Sequence, residues 1–574
     1  MPRSIVRRTV PDDHSLPDSL HPVLRRVYAA RKIVQMEELD YSLEGLHPYD
    51  SLSGIDAAVS LLAQALELKR RILIVADFDA DGATACALVV RGLRLMGAVD
   101  VNYIVPNRFE FGYGLSPEIV EVASGYEPDL LITVDNGISS IEGVALARSR
   151  GIDVLVTDHH LPGSMLPDAN VIVNPNLDGD VFPSKSLAGV GVAFYILAAL
   201  RSYLRENGWF ERHGSGEPRL ADLLDLVALG TVADVVPLDQ NNRILVEQGL
   251  KRIRMGRCVA GISALLTVSG RSLRNTTTGD IGFAIAPRLN AAGRLTDMTL
   301  GIECLLCDDA DSAMEMAAAL DKLNHERREI LQQMQNSVAM HIPELEGENI
   351  PYGLCLYNEE WHQGVVGVLA SRVREACHRP VIVFADDGAD RIKGSGRSIA
   401  ALHLRDTLDN IATRNPGLIK TFGGHAMAAG VVIDRVDLDR FREQFDVELQ
   451  RRLSVDDLHG VMHSDGELES GDIGLALAES IRSGGPWGSG FPEPAFDGKF
   501  TLCERRILAD SHLKMTVTLP GSGRKFDAIA FQTRDDDWPD DTSHVHLVYR
   551  LEINEYNGRR KEQLVVEYVE PMVI

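Results

Sequence analysis

The stretch VADFDADGATACA (Val75–Ala87) follows directly on the apolar run ILIV (Ile72–Val75). It sets Asp77, Asp79 and Asp81 at alternate positions before Gly82. An apolar run of that length ending in an acidic turn reads as a buried strand whose carboxyl end carries polar groups. Three like charges so close together repel, so the turn calls for something that offsets them. An EF-hand calcium loop begins in the same way. However, its twelfth position should be Glu and here it is Leu88, and its lead-in should be a helix, not a strand.

The design recurs downstream. PDLLITVDNG ends at Asp135, and IDVLVTDHH ends at Asp158, His159 and His160. Helical patterns such as ATACALVVRGLRLMG and GISSIEGVALARSRG lie between these strands. Alternation of this kind predicts a parallel α/β sheet, in which ligands gather beyond the carboxyl ends of the strands. The helix LLDLVALGTVADVVPL adds Asp234 near its end. Carboxylates that share divalent cations no longer repel one another. One ion seldom uses so many ligands, whereas two ions about 3.5–4 Å apart do, and they suit phosphoester or phosphoanhydride hydrolysis. A histidine in the set favours manganese, zinc or iron over an all-oxygen calcium cage.

The chain of 574 residues is too long for one core and is 45% hydrophobic, which predicts several packed domains. We expect an α/β multidomain protein: an N-terminal helical lead-in (1–50), a parallel-sheet domain (51–255), a bridging region with a long helix (256–345), a second α/β domain (346–452) and a C-terminal β-barrel (453–574). The segment HLVYRLEINEYNGRRKEQLVVEYVE reads as a hairpin turning at Asn557-Gly558. FGGHAMAAG (Phe422–Gly430) reads as a glycine-rich turn entering a helix, with His425 and free backbone N–H groups suited to an anion. KGSGRS offers Arg397, and APRLNAAGR offers Arg288, Asn290 and Arg294. Arginine suits phosphate bidentately.

No apolar run reaches the roughly 18–20 residues of a membrane span. Seven scattered cysteines favour reduced thiols and a cytoplasmic setting. Cys304 and Cys307 form a CxxC without a second pair and read as core. The net charge of −25 argues on its own against nucleic acid. Yet metal-binding carboxylates inflate that total, and basic runs occur at Lys251, Arg271 and Gly558. We expect those runs to lie near a channel.

DFDADG, VDNG, TDHH and GTVADVVPL, in this order, resemble the motifs of the DHH phosphoesterase superfamily. Within it, VPNRFEFGYGLSPE, APRLNAAGR, WHQGVVGVLASR, GSGRS, FGGHAMAAG, PWGSGFPEP and HLKM are similar to the RecJ family of bacterial single-strand-specific DNA exonucleases. The resemblance runs from about residue 20 to the C-terminus. It implies a DHH domain, a connecting helix, a DHHA1 domain and an OB-fold. It also implies hydrolysis of single-stranded DNA from the 5′ end to mononucleotides in recombination and repair, with two Mn2+ or Mg2+ ions. Asp79, Asp81, Asp135, His159 and Asp234 become metal ligands, with Asp77 ligating or adjacent. His160 touches the scissile phosphate, and Asp158 orients the histidines. Arg108, Arg288, Asn290, Ser371, Arg397 and His425 become candidates for gripping the strand. Trp487 and Phe491 are stacking platforms or core. Phe111 departs from the acidic residue of many relatives. A single-strand-binding protein and a RecQ-type helicase are the partners implied, with no membrane. The alternatives are a short-oligonucleotide or cyclic-dinucleotide phosphoesterase of the same superfamily, and a catalytically inactive DNA-binding scaffold.

Overall fold

The computed structural model describes residues 3–11, 14–107, 114–339, 351–388, 390–508, 512–531, 543–556 and 558–572. The chain forms two compact units. One comprises Met1–Arg7 and His325–Ser464, and the other comprises Arg8–Asn324 and Asp465–Ile574. Strand β1 (Arg3–Arg7) belongs to the first of these.

The larger unit is built around a parallel sheet of β2 (Ile72–Ala76), β3 (Val101–Ile104), β4 (Leu130–Val134), β5 (Asp153–Thr157) and β6 (Val171–Val173). The spatial order is β3-β2-β4-β5-β6, with every pairing parallel. All five residues of β2 and of β4 are buried, as a sheet covered on both faces requires. The order reverses between β2 and β4. In an open parallel sheet that reversal leaves a crevice at the carboxyl ends of the two strands, where ligands bind. Asp77 follows β2 and Asp135 follows β4, so the topology alone sets both carboxylates at the crevice.

The helix Ala80–Leu95 begins inside the acidic turn. Asp79 is its N-cap, and its Oδ1 accepts from the N–H groups of Asp81 (2.9 Å) and Gly82 (3.0 Å). The run of small residues after the cap lets the helix pack closely, and every residue from Ala80 to Val90 is buried. The helix Gly189–Glu206 brings its first N–H groups to the same crevice. The 30-residue helix Ala310–Ala339 carries the chain from one unit to the other.

The smaller unit holds β7 (Leu354–Tyr357), β8 (Val381–Asp386), β9 (Arg391–Arg397), β10 (Thr421–Gly424) and β11 (Ala428–Asp434) in the order β10-β11-β9-β8-β7. Within this sheet, among the described residues, β7 and β8 alone pair in parallel. β12 (Gly460–Ser464) pairs in parallel with β1. Here one expectation is corrected. FGGHAMAAG enters no helix; it is the β10–β11 hairpin. Ala, Met and Gly at the turn mimic a helix start locally, but Ala429, Val431 and Ile433 are buried at every second position, which is strand periodicity.

The C-terminal strands β13 (Phe496–Leu508), β14 (His512–Thr518), β15 (Lys525–Phe531), β16 (His544–Tyr556) and β17 (Arg559–Pro571) close into a barrel in the order β13-β14-β15-β17-β16. The β15–β17 pairing is the parallel one that closes an OB-fold. β16 and β17 form the expected hairpin, with Tyr556 opposite Arg559. Asn557 itself lies outside the described residues.

Candidate metal centre

Four strand-end or helix-end segments converge at the crevice. Asp77, Asp79 and Asp135 present one ligand atom each within 4.8 Å of one another. The same is true of Asp135, His159 and His160, and of Asp81, His159 and Asp234. The three groups share Asp135 and His159, so they form one continuous set. His159 Nε2 lies 3.1 Å from Asp135 Oδ1 and 3.4 Å from Asp234 Oδ2. Among the sequence-derived candidates, Asp77, Asp79, Asp81, Asp135, His159, His160 and Asp234 are therefore brought together.

Backbone geometry holds this set in place. Asp135 adopts a left-handed conformation (φ 62°), which is uncommon for a side chain other than Asn, Asp or His and clusters at functional sites. Asp81 anchors both its oxygens on the start of the Gly189–Glu206 helix, accepting from Gly189 N (2.6 Å) and Val190 N (3.0 Å). A carboxylate has about four lone-pair sites, so these bonds leave capacity for a cation. Gly189 is needed for this approach, since a Cβ there would lie 2.5 Å from Asp135 Cβ. Gly230 is needed too, with Asp81 Oδ1 only 2.6 Å from where its Cβ would stand.

The electrostatics describe a site short of positive charge. Burial, with the charges of Asp234 and Asp79, pushes the Asp81 carboxyl well above the usual carboxylate range. Burial and the surrounding aspartates do the same to Asp135. Burial and Asp79 raise Asp234 to about 7, against a small opposing effect of His160. Three buried carboxylates (Asp77, Asp81, Asp135), two half-buried ones (Asp79, Asp234) and the His159 imidazole make a donor set that fits divalent ions of the Mn2+ or Mg2+ kind.

Asp158 stands outside the ligand groups and does different work. Its Oδ1 accepts from His159 N (2.7 Å) and His160 N (3.0 Å) and lies 2.7 Å from His160 Nδ1, while Oδ2 accepts from Ile138 N (2.9 Å). Burial opposes its charge, but the His160 contact and these N–H groups outweigh it and hold the carboxyl below its ordinary value. His160 responds in the opposite direction. Burial lowers it, yet Asp158, Asp77 and Asp234 together raise it to about 9.

Three asparagines complete the frame, and sequence reading missed their part. Asn136 is fully buried and donates from Nδ2 to Val75 O (3.0 Å) and Val134 O (2.9 Å), tying the ends of β2 and β4 together. Asn174 Nδ2 donates to His160 O (2.8 Å), and Asn176 Nδ2 to His159 O (2.6 Å). Asn136 stood within the quoted VDNG. Asn174 and Asn176, in VNPN, carry no signal that sequence alone distinguishes from a turn.

The remaining candidates are placed as follows. Asn290 Oδ1 accepts from Ala80 N (2.9 Å) and so supports the acidic turn. Arg288 is paired with Asp321 (2.7 Å) on the long helix. In the smaller unit, Arg397 Nη1 donates to Gly396 O (2.8 Å) and Ser395 Oγ (3.2 Å), Ser371 Oγ donates to Gly367 O (3.2 Å), and His425 N donates to Ala428 O (2.8 Å). Arg108 and Phe111 lie outside the described residues. Trp487 and Phe491 are core residues, 8% and 1% exposed, stacked on each other at 5.0 Å. Within the basic runs, Arg252 pairs with Asp222, Arg254 with Glu247, Arg271 with Asp280, Arg560 with Glu479 and Lys561 with Asp527. Cys304 is buried and Cys307 half-buried, in line with a core reading.

A parallel sheet carrying aspartates and a DHH triplet at its switch point defines a DHH-type phosphoesterase domain, and the DHH family N-terminal domain model matches residues 71–231. The DHHA1 domain matches 350–451 and the RecJ OB domain matches 464–568. The chain is 54% identical over 571 residues to a protein of Dickeya dadantii, covering 99% of each. It is 50% identical over 569 residues to one of Escherichia coli, again covering 99% of each. Both bear the name single-stranded-DNA-specific exonuclease RecJ. The crystal structure of RecJ from Thermus thermophilus in complex with Mn2+ superposes with a TM-score of 0.79 at 31% identity, over 97% of this chain and 77% of that one. The Mg2+ complex gives 0.74 at 29% identity, over 97% and 76%. The chain belongs to the RecJ family.

Proposed function

We propose that this protein is a metal-dependent exonuclease that hydrolyses single-stranded DNA from the 5′ end, releasing mononucleotides. The observation that carries the reading is the continuous cluster of Asp77, Asp79, Asp81, Asp135, His159, His160 and Asp234 at the sheet's switch point. The RecJ family membership and the OB barrel support a polymeric substrate over a cyclic dinucleotide or short oligonucleotide.

Asp79, Asp81, Asp135, His159 and Asp234 would hold two Mn2+ or Mg2+ ions, with Asp77 a ligand or an immediate neighbour. Bound there, the ions supply an activated water and neutralise charge on the phosphorus-bound oxygens. The protein contributes the rest. Asp158 fixes His160 through Nδ1, which leaves Nε2 to hold a proton toward a phosphate oxygen. Asn174 and Asn176 hold the backbone carbonyls of the histidine pair, which fixes the chain from which both rings project. Arg108, Arg288, Asn290, Ser371, Arg397 and His425 are the proposed contacts to the strand. Asn290 would act mainly through the acidic turn that it supports.

The seven cysteines are free thiols, and among the described residues no helix is long and apolar enough to cross a membrane. We place the activity in the cytoplasm, in recombination and repair, beside a single-strand-binding protein and a RecQ-type helicase. Degradation of 5′- and 3′-labelled single strands with Mn2+, Mg2+ or chelator tests the reading. Release from the 5′ end that stops in chelator is expected. Activity without a divalent ion, or release starting at the 3′ end, would overturn it.

A further inference from the structure

Phe283 is 87% exposed, although it lies in a structured segment. It sits in the π-helical turn Ile281–Ile285, whose Ile281, Ala284 and Ile285 are buried. Single π turns inside helices recur at functional positions. The turn is well anchored. Thr277 and Asp280 form a capping box before it, and Thr278 Oγ1 donates to Trp487 O at 2.6 Å. The ring therefore stands in solvent on a fixed base, where a polar side chain would suit water better.

Its location is set from two sides. A Cβ on Gly282 would lie 3.7 Å from Val232 Cγ1, two residues before Asp234. The segment continues as the helix Ala286–Leu295, in which Asn290 bonds Ala80 N and a Cβ on Gly293 would lie 1.9 Å from Phe78 O. The segment that carries Phe283 is thus clamped both to the helix ending at Asp234 and to the Asp77–Asp81 turn. Other apolar side chains stand exposed beside the ligands. Val235 (67% exposed, φ 65°) follows Asp234, and Leu161 (61% exposed) follows His160. An anionic, cation-seeking centre with apolar neighbours matches a nucleotide, whose phosphate is charged and whose base offers an apolar face. Several cations of the basic runs, Arg252, Arg271 and Lys561 among them, are paired with carboxylates, so a contact to the base would add affinity that does not draw on them.

We propose that Phe283 is a stacking platform for a base of the single strand, a reading that rests on the nuclease function above. Every base has a π face, so this contact tolerates any sequence, as an exonuclease requires. The test measures binding of an oligodeoxynucleotide in EDTA, with single abasic sites walked along the strand, together with KM and kcat for hydrolysis in Mn2+. Phe283→Ala should weaken binding and raise KM by about 5- to 150-fold. Its kcat and melting temperature should stay near those of the parent, and Phe283→Trp should restore affinity. One abasic position should cost the parent protein the same loss and cost Phe283→Ala nothing further. Unchanged affinity and KM in Phe283→Ala, or additive losses at every abasic position, would overturn the proposal, as would a role for this ring in docking protein alone. A parent that binds the strand through Phe283 but does not cut it would sink the hydrolytic reading and leave the stacking contact standing. A parent that neither binds nor cuts overturns both.

Discussion

The ring of His160 is held from behind by Asp158, with Nδ1 2.7 Å from an oxygen that also accepts the backbone N–H groups of His159 and His160. One carboxylate thus fixes the backbone of the histidine pair and the ring plane and charge of His160. It does so without taking part in any of the ligand groups.

The first prediction concerns that charge. In the metal-free protein the His160 imidazole titrates at about 9, with burial lowering it and Asp158 raising it by more. A histidine raised in the folded state adds stability that is complete below its unfolded pKa and is lost as pH rises through the folded value. Asp158→Asn removes the charge and should bring the titration down. An NMR titration of the His160 ring in both proteins checks this, and coincident midpoints would refute the assigned role.

A second prediction concerns the cluster as a whole. Burial and neighbouring aspartates lift Asp234 from 3.8 to about 7 and lift Asp81 and Asp135 as well. A carboxyl raised in the folded state binds more protons folded than unfolded between its two pKa values, so folding weakens as pH climbs through that window. The metal-free protein should therefore lose thermal stability from about pH 4 to beyond pH 7. Mn2+ should raise the melting temperature more at pH 8 than at pH 5. An equal gain at both would show that these carboxylates do not hold the ion.

Gly189→Ala tests the close approach at the crevice. The added methyl would meet Asp135 Cβ at 2.5 Å and Oδ1 at 2.6 Å. Alanine favours a helix over glycine by about 1 kcal/mol, so any loss of stability is steric. We expect a net cost of about 1–3 kcal/mol by chemical denaturation. A drop in hydrolysis of more than about a hundred-fold should accompany it, because the site tolerates little displacement.

Asn136→Ala should act on the frame and not on the ligands. It deletes two buried bonds, one to Val75 O of β2 and one to Val134 O at the end of β4, and should cost about 1–3 kcal/mol. Mn2+ affinity, read by calorimetry, should fall with it because Asp77 and Asp135 extend from those two strands. Unchanged affinity would mean that strand spacing does not set the site.

The sheet was legible because strands buried on both faces must be continuous apolar runs, and ILIV, LLITV and VLV are such runs. The acidic set was legible because each member ends one of those runs or, for Asp234, a helix. FGGHAMAAG was misread because local helix preference in Ala and Met gave way to the two-residue burial of a hairpin. Asn174, Asn176, Gly189 and Gly230 left no trace because their roles depend on neighbours distant in the chain, such as His160 O, Asp135 and Asp81. The basic runs suggested a cationic surface, but Arg252, Arg271 and Arg560 in them pair with carboxylates that their own neighbourhood in the sequence does not reveal.

The most direct test of the account is hydrolysis of a 5′-labelled single strand in saturating Mn2+ by the parent protein and by Asp135→Asn. Asparagine tolerates the left-handed backbone at this position and keeps the volume, so the change removes charge with little strain. The account predicts turnover reduced by more than about a hundred-fold, with the melting temperature of the metal-free protein unchanged or raised. Turnover within a few-fold of the parent would contradict it.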